Sequence, residues 1–234
     1  MPTAYAHSRD DTPESEWEPL ERHLLEVAQR ARQFADAFGS GDWGHWAGLW
    51  HDLGKYRPAF QRRIRGSGES APHASVGAAH AARCRLMPLA FVIAGHHAGL
   101  ANPASAHGDG PRPLRETVLE ALTWLQEAEH AVPGHLLGEP LLSLPPHLAQ
   151  LQDSEAFRGA LNHWIRFLFS ALVDADRLAT EAFYNGDRSD RVGGFSSLSD
   201  LAGRVDAYLD AKVADSEINI RRAAILASCR SAAT

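Results

Sequence analysis

The stretch Asp42-Trp-Gly-His-Trp-Ala-Gly-Leu-Trp-His-Asp-Leu-Gly-Lys55 decides how this chain is read. Asp42 is a helix-capping residue and Gly54 a helix stop, which predicts a helix from about Trp43 to Leu53 anchored by Trp46, Leu49 and Trp50. His51 and Asp52 fall in its last turn. Successive helical residues diverge by about 100°, so the two side chains can approach an ion pair from adjacent directions. Further donors stand along the chain: His23 upstream, His73, His96 and His97 downstream, and Asp176 much later. Imidazole and carboxylate together suit a divalent metal, and this many groups exceed the needs of one ion. The pattern predicts a two-metal hydrolytic centre.

Working outward, apolar residues recur at three- and four-residue spacing with no sustained alternation, which predicts an all-α fold. The first stripe is Trp17, Leu20, Leu24, Val27, Ala31, Phe34 and Phe38, closed by Gly39, and it places His23 beside the core face. Short helices are expected over 58–65, 74–84 and 86–97, with His73 preceding one and His96-His97 ending another. A Gly- and Pro-rich loop over 102–113 is placed to overhang the site. A helix over 114–131 and an irregular stretch over 132–146 follow. The next long helix carries Phe157, Leu161, Trp164, Ile165, Leu168, Leu172 and Ala179 on one stripe. Asp176 lies on that same stripe and Asp174 on the other side. A carboxylate on an apolar face costs several kcal/mol without a compensating partner, so Asp176 needs a cation. A final helix is expected from about Leu198 to the segment Arg221–Arg230, and the whole of 1–234 reads as a single domain.

Composition agrees with a packed core: 44% of 234 residues are hydrophobic. The two cysteines, Cys84 and Cys229, fit neither a disulfide framework nor a thiolate zinc site, and no apolar run is long enough to span a membrane, so a cytoplasmic location is expected. A net charge of -6 argues against a broad basic face for duplex nucleic acid. It leaves room for a narrow track, and Arg57, Arg62, Arg63 and Arg65 are the candidate nucleic-acid contacts, with a solvated helix face as the plainer reading.

The ordered series Tyr5-Ala-His-Ser8, His23, His51-Asp-Leu-Gly-Lys55, His73-Ala-Ser, Gly95-His-His-Ala-Gly99 and Ser170-Ala-Leu-Val-Asp-Ala-Asp-Arg-Leu-Ala-Thr-Glu181 resembles the HD superfamily of metal-dependent phosphohydrolases. Within it, the series is most similar to the HD nuclease domain of the type I CRISPR-associated helicase-nuclease. That resemblance implies an all-helical fold with a central metal site and cleavage of single-stranded DNA in antiviral defence. It also implies partnership with a helicase domain or subunit and, through it, with an RNA-guided surveillance complex. By the same resemblance His23, His51, Asp52 and Asp176 hold one metal. Asp52 bridges to a second, held by His73, His96 and His97. Residues 220–234 resemble the link toward a helicase in fused members.

The chemistry of phosphodiester hydrolysis accounts for the donor set. Two cations supply a nucleophile at neutral pH and relieve charge on the phosphoryl oxygens. Asp52 and Lys55 are the candidate catalytic residues, with Lys55 either neutralising the scissile phosphate or completing a helix C-terminus. Of His96 and His97, the latter is the one that can face solvent. Mixed imidazole and carboxylate ligands fit manganese, iron, cobalt, nickel or zinc, with manganese, nickel, cobalt or iron favoured over magnesium. Ser170, Thr180 and Glu181 read as capping or orienting residues, and His7, His45, His80 and His107 as surface or packing residues. The competing readings are a nucleotide or small phosphoester hydrolase of the same superfamily and a non-catalytic helical binding module.

Overall fold

A computed structural model describes residues 3–101, 112–186, 196–212 and 215–232, so most of the loop expected over 102–113, with His107, lies outside the described residues. Among the described residues there are ten α-helices and one pair of short strands. The order is β1 (Tyr5–His7), β2 (Glu18–Pro19), α1 (Leu20–Asp36), α2 (Gly41–Trp50), α3 (Pro58–Ile64), α4 (Ala74–Arg83), α5 (Met87–Gly95), α6 (Leu114–Glu129), α7 (Pro146–Ala149), α8 (Phe157–Asn185), α9 (Leu198–Asp210) and α10 (Glu217–Ala232). The fold is all-α, as the periodicity predicts. By contacts the chain divides into two compact units, Met1–Asp187 and Arg188–Thr234.

In the first unit α1 and α2 pack closely because small residues meet along their seam. A Cβ on Gly48 would lie 2.6 Å from the Cα of Ala28, so only glycine lets α2 sit this near α1. The stripe on α1 buries Leu20, Leu24, Val27, Ala28, Ala31 and Ala35, and His23 is buried among them. Trp17 lies outside the helix, which starts only after Pro19, and packs edge-on against Tyr5. Phe34, assigned to the stripe, is 37% exposed.

The tryptophans explain why the irregular stretch 132–146 belongs to this core. A buried indole N–H needs an acceptor. Trp50 donates to the Leu136 carbonyl at 3.0 Å and Trp43 to the Ser143 carbonyl at 2.9 Å, which ties that stretch to α2. Trp164 of α8 donates to the Ser40 hydroxyl at 2.8 Å, fixing the long helix against the start of α2. On α8 the buried residues are Trp164, Leu168, Ala171, Leu172, Ala175 and Ala179, and Asp174 is exposed, as its side of the helix requires.

Helix ends mostly fall within a few residues of expectation, and two departures have structural consequences. α2 ends at Trp50, not Leu53: Asp52 leaves the helical backbone region, and Leu53–Tyr56 form a tight 3-10 turn opened by Lys55 N–H donating to the Asp52 carbonyl at 2.9 Å. Gly54 is therefore not a left-handed stop. Its Cβ, if present, would lie 2.2 Å from the His73 carbonyl oxygen, so its role is to admit the start of α4. In the second unit the expected single helix is two. Ser197 and Asp200 form a capping box at the start of α9, and the Ser216 hydroxyl accepts the Asn219 N–H at 3.3 Å, starting α10 afresh. Arg230 of α10 pairs with Asp206 and Asp210 of α9.

Candidate metal centre

The close packing of α1, α2, α4, α5 and α8 brings every predicted ligand to one place. His51 follows the last residue of α2, and its Nδ1 lies 2.7 Å from the Gly48 carbonyl. That contact fixes the ring with Nδ1–H donating and leaves Nε2 turned inward. His96 does the same at the end of α5, with Nδ1 2.7 Å from the Ile93 carbonyl. Asp52 is 1% exposed and central.

The two oxygens of Asp52 face different partners. Oδ2 lies 3.3 Å from His51 Nε2, 3.9 Å from His23 Nε2 and 2.7 Å from Lys55 Nζ. Oδ1 lies 3.4 Å from His73 Nε2 and 3.6 Å from His96 Nε2. Asp176 of α8 closes the first side, its Oδ1 being 3.3 Å from His23 Nε2 and 3.5 Å from His51 Nε2. His97 closes the second, its Nε2 being 3.0 Å from His73 Nε2. Of the doublet, His96 is the buried member and His97 the exposed one.

The electrostatics follow from crowding charge in a dry place. Burial works against a charged Asp52, but Lys55 and His51 outweigh it and hold the carboxyl well below its ordinary range. Asp176 is likewise lowered: its burial is overcome by His23 and His51. Burial also opposes charge on His51, yet Asp52 and Asp176 dominate and raise it to about 10. His23 is raised by Asp176 and Glu18 against its own burial. His73 and His97 are pushed down, chiefly by burial, His97 to about 4.

Several of these atoms lack what buried polar atoms require. Among the described residues, Nε2 of His23, His51 and His96 and Oδ1 of Asp52 are buried with no hydrogen-bond partner, each a cost of about 1–3 kcal/mol if left so. Their separations of 3.3 to 3.9 Å exceed those of charge-assisted hydrogen bonds. Donors converging this way, with no direct hydrogen bond between them, are what a cation satisfies when it displaces the ring protons. Three overlapping donor groups arise here: His23, His51 and Asp52; His51, His96 and Asp176; and Asp52, His73 and His97.

Residues 20–141, just over half of the chain, match the HD domain family. The chain belongs to the HD domain family. HD domains are in general metal-dependent hydrolases that bind divalent metals, and the donor set fits that chemistry. The matched span contains His23, His51, Asp52, His73, His96 and His97, whereas Asp176 is contributed from beyond it by α8. No curated protein matches the sequence. No helix among the described residues is long and apolar enough to cross a membrane.

A cavity of about 440 Å³ opens onto the HD centre, walled by Asp52, Lys55, His96, His97 and Asp176 and by α8 residues including Arg177, Thr180, Glu181 and Tyr184. Ser170 of the same motif is exposed and is not in that wall. His80 is a packing residue as expected, buried edge-on against Trp50, and His45 packs edge-on against Trp46. His7 is more than a surface residue: it lines the cavity, and its Nε2 lies 3.4 Å from the Thr180 hydroxyl. Glu18, 1% exposed and 3.3 Å from His23 Nδ1, cannot be recognised from sequence, because a glutamate before a helix ordinarily reads as a favourable helix-start charge. The four arginines sit apart from the cavity wall. Arg57 is buried, bonded to Glu127 and the Pro72 carbonyl and stacked on Trp124. Arg62 pairs with Glu69 and Arg65 with Glu14, while Arg63 is exposed.

Proposed function

We propose that this HD domain is a nuclease that cleaves single-stranded DNA in CRISPR interference, working with a helicase domain or subunit and through it with an RNA-guided complex. The observation that carries the reading is the position of Asp52. One carboxylate oxygen faces His23 and His51 and the other faces His73 and His96, which is the disposition a shared ligand between two cations requires. The ordered motif series across the chain, from His23 to Asp176, favours the nuclease branch of the superfamily.

His23, His51, Asp52 and Asp176 would hold one cation, and Asp52, His73, His96 and His97 the other. Cations bound there supply a nucleophilic water at neutral pH and relief of phosphoryl charge, with manganese, nickel, cobalt or iron the metals this donor set favours. The protein's own contribution is positional. Lys55 balances Asp52 at 2.7 Å and, from the cavity wall, presents positive charge to a phosphate. The close α1–α2 seam sets where His23 and His51 stand, and the Gly48 carbonyl orients the His51 ring. Arg62 and Arg63, exposed on α3, would meet the DNA backbone outside the cavity.

The test is cleavage of circular single-stranded DNA by metal-stripped protein after separate addition of manganese, nickel, cobalt or magnesium. Loss of the shared ligand in Asp52→Ala is expected to lower the rate by about three decades, since each 1.36 kcal/mol is tenfold and several are at stake. Unchanged cleavage by that variant overturns the assignment. One observation favours a second reading: the cavity has the volume of a small-molecule site, which suits a nucleotide or small phosphoester hydrolase. Turnover of mononucleotides with circular DNA left intact would decide for it.

A further inference from the structure

Two imidazoles of the centre, His51 and His96, are oriented by carbonyls three residues earlier. His23 has no such support. It lies inside α1, where the carbonyls of the preceding turn are engaged by the helix, and its Nδ1 faces a side chain instead, Glu18 Oε2 at 3.3 Å. Both oxygens of Glu18 are buried and, among the described residues, neither accepts a hydrogen bond of normal geometry. A carboxylate held this way costs several kcal/mol unless something compensates it.

The strand pair delivers this group. β1 and β2 place His7 opposite Glu18, and Leu20 N–H donates to the Ala4 carbonyl at 2.8 Å, so Glu18 is clamped directly beneath α1. His7 Nε2 stands 3.9 Å from the same Glu18 oxygen. His7, Glu18 and His23 are also near enough to form a donor group for a further cation. That use would require His23 to give both nitrogens to cations, and a neutral imidazole has one lone pair to give.

We infer that Glu18 is a positioning residue of the metal centre: facing His23 Nδ1 at 3.3 Å, its carboxylate favours a proton on that nitrogen and so leaves Nε2, which faces Asp52 and Asp176, to bind a cation. The inference rests on the metal-centre reading. It assigns the N-terminal strand pair a part in metal binding, outside the span that matches the HD domain family. A carboxylate behind a ligating histidine fixes its tautomer and strengthens its hold, and losing such a partner weakens metal affinity by roughly 10- to 100-fold.

The experiment is calorimetric titration of the full, metal-stripped chain with Ni²⁺, comparing wild type with Glu18→Gln, alongside thermal unfolding of both without metal. Gln preserves size and one acceptor oxygen. The expected result is a Kd raised roughly 10- to 100-fold for one Ni²⁺, a second Ni²⁺ affected by less than about threefold, and a metal-free Tm near that of wild type. Equal affinities in the two proteins overturn the inference, and so does a Glu18→Gln chain that no longer folds, since Glu18 would then belong to the fold. Wild type that binds no Ni²⁺ is a different failure, that of the metal centre itself.

Discussion

Replacing Asp52 by Asn keeps the side chain's shape and removes the charge that both imidazole groups face. The consequence can be sized through metal-linked stability. A cation at 100 times its Kd adds about 2.7 kcal/mol to the folded state. For a folded unit of this size 1 kcal/mol moves Tm by roughly 2–4 °C. One bound cation should therefore raise Tm by roughly 5–11 °C, and two by roughly 10–20 °C. Because Asp52 Oδ2 serves His23 and His51 while Oδ1 serves His73 and His96, Asp52→Asn should remove most of the shift at both positions. His97→Ala should behave differently. His97 touches only the His73 side, at 3.0 Å, and its loss should leave about half of the shift. The assay is thermal unfolding of each variant with and without Ni²⁺. Asp52→Asn also strands the buried Lys55 ammonium 2.7 Å away and so lowers the metal-free Tm, but the shift is taken within each variant and is unaffected by that baseline. An Asp52→Asn shift equal to that of wild type would refute the shared-ligand geometry.

Three further outcomes are expected. Gly48→Ala should destabilise by about 1–3 kcal/mol, seen in urea or thermal unfolding, because the new methyl would sit 2.6 Å from the Ala28 backbone. His51, whose folded pKa is raised to about 10 from 6.5, contributes stability that is complete below about 6.5 and is lost as pH rises through about 10. Over that same window Ni²⁺ binding must displace the His51 proton, so its affinity should climb with pH in calorimetry, and a pH-independent affinity would contradict this. The lowered His7 and His97 act in the other direction and in another window, their contribution fading as pH falls below 6.5 toward about 3 and about 4. Finally, Arg57→Ala should cost about 1.5–3 kcal/mol of stability through its lost bonds to Glu127 and Pro72. Arg63→Ala should leave stability unchanged and lower the salt slope of single-stranded DNA binding by about 0.7. Equal effects of the two on unfolding would contradict the placement of Arg57 in the core and Arg63 on the surface.

What could be read in advance was whatever periodicity controls. The stripe Leu20, Leu24, Val27 and Ala31 puts His23 on the buried side of α1, and the spacing from Leu172 puts Asp176 on the inner side of α8, so the direction of both candidate ligands follows from one helix at a time. What could not be read depends on partners far away in sequence. Gly54 looks like a stop from its neighbours, and only the arrival of His73 shows that its missing side chain makes room. Arg57 belongs to a run of basic residues until Glu127 and Trp124, on α6, claim it. His7 and Glu18 sit on strands too short for an alternating pattern, and their importance comes from α8 and α1. Such contacts are fixed by tertiary packing, which no local pattern reports.

The most direct test of the central claim, that distant helices bring their donors to a shared pair of cations, is anomalous diffraction from crystals of the protein soaked in Ni²⁺ or Mn²⁺. Two peaks are expected on either side of the Asp52 carboxylate, one against His23, His51 and Asp176 and the other against His73, His96 and His97. Ions bound elsewhere, or a single ion that Asp52 does not touch, would contradict that claim.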